Sequence, residues 1–238
     1  MKASNFTLNS VHIALFSSKP GDFSPAVILG SILNKYQARY NGEIQALPIP
    51  AEAPVEIPRV ILLSSDGSYR IEAGPIRIDS HWQRTNETKV DLAEYSKKAF
   101  EPLETLIRER QLSIGRCAFV VTRTYDDPQA ADHLADKFCK SDLREGKGPL
   151  RRSDFFELHN HKKYSITFSG NKQQEVNSWI RCKAVQAAKD QRKMILVEQD
   201  LNTPQEDLPR KLFTADEIVS FVDTAIKEVD KTLELYFP

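Results

Sequence analysis

Arg59–Thr85, "RVILLSSDGSYRIEAGPIRIDSHWQRT", decides the fold. Asp66-Gly67 marks a hairpin turn, because glycine reaches positive φ without steric cost. Ala73-Gly74-Pro75 marks a second break. Between these breaks apolar residues alternate with polar ones, the period of a half-buried strand. Three strands, about 59–65, 68–73 and 76–84, are therefore predicted to form an antiparallel meander. Ile76, Ile78 and Ser80 take one face of the third strand, and Arg77, Asp79 and His81 take the other.

Upstream, Val11, Ile13 and Leu15 alternate with His12 and Ala14 in a first strand over residues 10–18. Ser24 and Pro25 then open a helix in cap-then-proline order. Ile28, Leu29, Ile32, Leu33, Tyr36 and Tyr40 recur along it at helical spacing. Pro48, Pro50, Pro54 and Pro58 make the following stretch an extended connector or edge segment. Downstream lies a helix from Asp91, with Leu92, Tyr95, Ala99, Leu103 and Leu106 on one side and a kink expected at Pro102. The strand "SIGRCAFVVTRTY" is apolar on both faces at its centre, as a covered central strand is. Asp127-Pro128 opens a third helix. Strands are then predicted in "DFFELHN", "KYSITFSG", "VNSWIRCKAVQA" and "RKMILVEQ". In the last helix Thr214 and Glu217 form a capping box, and Phe213 with Ile218 forms a hydrophobic staple.

The predicted class is α+β, a mainly antiparallel sheet covered by amphipathic helices. The element order approximates two pseudo-duplicated β-α-β-β-β-α units, residues 1–111 and 112–238, within one domain. A chain of 238 residues is long enough to bury a sizeable core. Lys plus Arg balance Asp plus Glu at 33 each, so no global field draws the protein to nucleic acid or to a membrane. No apolar run approaches the ~18 residues of a membrane span. Cys117, Cys139 and Cys182 form no CxxC, and their odd number speaks against a disulfide framework. The expected compartment is the cytoplasm.

The hairpin "SSDGSYRIEAGPIRIDSHWQR", a helix, and the strand "GRCAFVVTRTY" with its R-x-x-x-x-x-x-R spacing give the chain a resemblance. It resembles a sporadically distributed family of uncharacterised bacterial proteins over almost its whole length. The resemblance implies an α+β fold and supplies no catalytic residues to carry over.

Three constellations invite a chemical reading. In "ELHNHKKY" (157–164), Phe156, Leu158, Tyr164 and Ile166 define an even core face. His159 and His161 then share the odd face with Glu157 and Lys163. If one strand runs through, Glu157, His159 and His161 project together, and with His81 from another strand they could ligate a metal. The alternative is an exposed strand or hairpin tip. Lys147, Arg151 and Arg152 in a basic loop are the candidates for nucleic-acid contact. Arg116 and Arg123 flank the apolar centre of their strand, and each is either a structural ion pair or a contact to a ligand anion. No GxGxxG, P-loop or GxSxG is present. No catalytic residue and no cofactor is expected.

The expectation is a non-catalytic interaction or assembly module that forms a homodimer through an edge strand or the last helix, with another protein partner possible. The alternatives are a metal-dependent enzyme acting on phosphoesters or nucleic acid through the histidines, or a nucleic-acid binder using the basic loop.

Overall fold

The computed structural model describes residues 1–50, 52–86, 90–110, 112–143, 155–168 and 171–238. Among these residues, nine strands make one antiparallel sheet: β1 (Thr7–Ser17), β2 (Ile44–Ala46), β3 (Val60–Leu63), β4 (Tyr69–Ala73), β5 (Arg77–Gln83), β6 (Ile114–Asp126), β7 (Glu157–Thr167), β8 (Gln173–Gln186) and β9 (Lys193–Asn202). Their order across the sheet is β2-β3-β4-β5-β1-β6-β9-β8-β7. The Arg59–Thr85 meander forms as predicted, with Gly67 at φ 72° in its first turn. The proline-rich stretch carries the short edge strand β2.

The helices pack against the sheet on one face. A helical run joins α1 (Pro25–Ile28), a π-helical turn (Leu29–Leu33) and α2 (Asn34–Tyr36). The long helix α3 (Leu92–Glu109) continues through the buried Pro102. The shorter α4 (Ala130–Phe138) starts two residues later than its Asp-Pro signal suggests: a turn comes first, with Ala130 N donating to Asp127 O at 3.2 Å, while the Asp127 carboxylate accepts from Gln129 N and pairs with His133 Nδ1. The final helix α5 (Ala215–Tyr236) has its predicted capping box. Val11, Ile13, Leu15, Ile78, Phe119 and Val121 point from the sheet into a core shared with Leu103, Leu106, Phe221 and Val222 of the helices. Polar bonds pin this layer: Ser80 Oγ donates to Ala99 O at 2.6 Å, and Gln199 Nε2 donates to Val229 O at 2.6 Å. Gly115 is required where the chain returns towards α5, since a Cβ there would lie 2.2 Å from Leu208 O.

Strand parity therefore leaves a second, open face. His12, Ala14 and Phe16 of β1 lie there with Arg77, Asp79 and His81 of β5 and Arg116 and Ala118 of β6. The strand predicted as two pieces broken at His161-Lys162 is one strand, β7, running through both residues at the edge of the sheet. An edge strand solvated on most of its surface shows no apolar alternation in its middle, which is why its sequence looks like a turn.

Candidate functional site

One rung of cross-strand partners spans the open face. It reads Arg70, His81, His12, Val120, Asp200, Trp179, His161 from β4 to β7. Each flank of the rung carries a stacked imidazole. His12 and His81 stack with centroids 4.1 Å apart and planes 13° from parallel. His161 stacks on Trp179 at 3.8 Å and 5°.

The β1–β5 group is tightly connected. His12 Nε2 lies 2.6 Å from Asp79 Oδ1, and the Arg77 guanidinium donates to the same oxygen at 2.7 Å. Burial would raise the Asp79 carboxyl, but the hydrogen bonds from His12 and Arg77 outweigh it and hold it below the usual carboxylate range. His81 is pushed down to about 4, first by burial and then by the charge of His12. Its ring is neutral at ordinary pH, and its buried Nε2 has no hydrogen-bond partner among the described residues. Ala14, opposite Asp79, adds no bulk beside the carboxylate.

The β7 group is exposed and satisfied locally. His159 pairs with Glu157, which also accepts from Lys183 Nζ at 2.8 Å. Those two hydrogen bonds, Lys183 first, hold the Glu157 carboxyl below its usual range. His161 Nε2 lies 3.1 Å from Asn177 Oδ1. Across the strand pair, His159 faces Arg181 and His161 faces Trp179.

The predicted metal set therefore requires correction. Glu157, His159 and His161 do share one face of β7, but His81 sits on β5, with β1, β6, β9 and β8 between. Five strand spacings of ~4.8 Å put it about 24 Å away. The sequence reading missed His12 and Asp79, the residues that do surround His81. The alternation that placed Asp79 and His81 on one face supplied half of that signal.

Arg116 and Arg123 also separate. Their spacing of seven puts them on opposite faces of β6, so no single anion meets both. Arg116 stacks over Phe16 on the open face and donates to Thr203 O and Gln205 Oε1. Arg123 is buried on the helix side, bonded to Gln199 and to Asp230 of α5. It forms a structural ion pair with Asp230. Lys147, Arg151 and Arg152 lie outside the described residues. The thiols of Cys117 and Cys182 are raised by burial, the latter to about 12, so neither offers a nucleophile. No helix among the described residues is long and apolar enough to cross a membrane.

No protein-family model and no curated protein matches the chain. Among solved structures, the di-domain ARO/CYC BexL from the BE-7585A biosynthetic pathway is 9% identical over 95% of this chain and 96% of its own, with a TM-score of 0.21. The di-domain ARO/CYC StfQ from the steffimycin biosynthetic pathway is 8% identical over 94% and 97%, with a TM-score of 0.18. Likeness at that level carries no argument about this protein.

Proposed function

We propose that the protein is a non-catalytic assembly module of the cytoplasm that joins a second copy of itself through the free edge of β7. The observation that carries this reading is the charge pattern of that edge. Ala184 N donates to Phe156 O, and Phe168 N donates to Lys172 O. By the alternation of an antiparallel ladder, even residues of β7 bond to β8 and odd residues turn their backbone groups outward. Those odd residues are Glu157, His159, His161, Lys163, Ser165 and Thr167.

A second β7, antiparallel and centred on Asn160, sets Glu157 against the partner's Lys163 and His159 against the partner's His161. The twofold axis repeats both pairs. Moving the centre by one residue, to His161, loses the charge match and sets His159 against the partner's Lys163. The register is thus chosen by charge, while the backbone supplies most of the affinity. The bonds that Glu157 and Lys163 make within the chain are exposed and individually weak, so pairing across the edge displaces little. The three free cysteines, two of them buried, accord with a reducing compartment.

Light scattering behind a sizing column tests the reading at tens of micromolar protein. The expected mass is twice the 27.1 kDa of one chain. Lys163→Glu, which faces Glu157 with a like charge twice per dimer, should weaken association on the order of tenfold or more. A monomeric wild type, or a dimer indifferent to Lys163→Glu, overturns it.

A further inference from the structure

We propose that His12, Asp79 and His81 form a binding site for a divalent transition-metal ion of the zinc class on the open face of the sheet. The inference stands apart from the assembly reading and shares no residue with it.

The backbone places the ligands. Asp79 and His81 are two residues apart on β5, so they project from the same face. His12 is the direct cross-strand partner of His81 on β1. An i, i+2 pair with the residue opposite one of its members gives three donors at the corners of a small triangle. That is the arrangement a tetrahedral ion needs on three sides, with the fourth left for water. One ligand atom from each of the three lies within 4.8 Å of the others. Two imidazoles and a carboxylate form a borderline donor set, suited to zinc rather than to calcium or magnesium.

The state of each donor agrees. A ligand imidazole must be neutral with a lone pair available. His81 is neutral, and its buried Nε2 has no hydrogen-bond partner among the described residues, an arrangement that folded proteins disfavour. An ion would satisfy it. Asp79 is already ionised, and Arg77 holds the carboxylate from outside, as a second-layer partner orients a ligand. His12 Nε2 points at Asp79, so the ion enters between atoms that already converge. Binding exchanges the His12–Asp79 hydrogen bond for two coordination bonds: the Nε2 proton leaves to solvent and the ring keeps its N–H at Nδ1. The stacked rings must splay, by rotation about their side-chain torsions, until both nitrogens face the ion. Arg77 and Arg70 oppose a cation electrostatically, and Glu72 offsets Arg70 through their ion pair.

Metal-free protein titrated with Zn²⁺ in a calorimeter decides the matter, with equilibrium dialysis and elemental analysis as the second readout. One equivalent should bind to the wild type. His81→Gln and Asp79→Asn should each weaken binding at least tenfold, and the pair of variants guards against one failing to fold. The double variant His159→Gln/His161→Gln should bind as the wild type does. Zn²⁺ should raise the wild-type melting temperature and leave that of His81→Gln unmoved. No binding by the wild type overturns the proposal. So does binding that survives in both β1–β5 variants, or binding that disappears with His159 and His161.

Discussion

Two histidine groups sit on one rung of the same sheet face, and their cross-strand neighbours set them apart. On β7, His159 and His161 form the i, i+2 pair that a sequence scan selects, but Arg181 and Trp179 stand opposite. Within one chain, a guanidinium and an indole complete no metal triangle. On β5, the pair is Asp79 and His81, a less conspicuous dipeptide pattern, and His12 stands opposite. Position matters as much as identity. The β7 group lies on an edge strand, where exposed side chains of the same chain bond to it. The β1–β5 group lies near the middle of the sheet, where Asp79 is only 9% exposed and one imidazole nitrogen has no partner among the described residues. A pair of ligand residues on one strand is therefore half a site, and the facing strand decides the rest.

Exchanging the neighbour opposite His161 should have the largest effect. Trp179→His puts a third imidazole opposite His161 and next to His159. That variant should bind a second equivalent of Zn²⁺, read by dialysis, where the wild type binds one. If the count does not rise, cross-strand identity is not the deciding variable.

Acid provides the next largest effect. His81 titrates at about 4 in the fold and near 6.5 when unfolded. A histidine lowered by folding stabilises the native state above its unfolded value and loses that contribution as protons bind. Stability should therefore fall between pH 6.5 and about 4, by on the order of 2 kcal/mol from this group. Denaturant midpoints across that range, in metal-free protein, should show the drop in wild type and a shallower slope in His81→Phe. Equal slopes would mean that the burial of His81 has no energetic consequence.

Truncation gives the smallest effects and still separates the groups. His12→Ala takes one of two hydrogen-bond partners from a buried carboxylate and should cost about 1–2 kcal/mol. His159→Ala removes an exposed ion pair and should stay within about 0.5 kcal/mol. Urea unfolding measures both, and a reversed order would contradict the burial difference between them.

Much of this architecture was legible because it is local. Asp66-Gly67 announces its own turn, and Thr214 with Glu217 announces a helix start within four residues. Strand parity placed Asp79 with His81, and it also held the answer for Arg116 and Arg123, whose odd separation forbids a shared ligand. Three features resisted. The partnership of His12 with Asp79 spans 67 residues and depends on how two distant strands register, which no window of sequence contains. The continuity of β7 through His161 and Lys162 was hidden because an edge strand need not alternate. The helix expected straight after Asp127-Pro128 starts later, after a turn closed by Ala130 N on Asp127 O.

The proposed pairing of β7 with its own copy puts Glu157 and Lys163 in charge of the register. Mixing two variants tests it most directly. Glu157→Lys alone faces lysine with lysine, and Lys163→Glu alone faces glutamate with glutamate, so each should be monomeric in sedimentation velocity at tens of micromolar. Combined one to one, they place lysines opposite glutamates at both pairs, and a heterodimer of twice the chain mass should form. A mixture that stays monomeric, or single variants that dimerise as well as the wild type, would contradict the account.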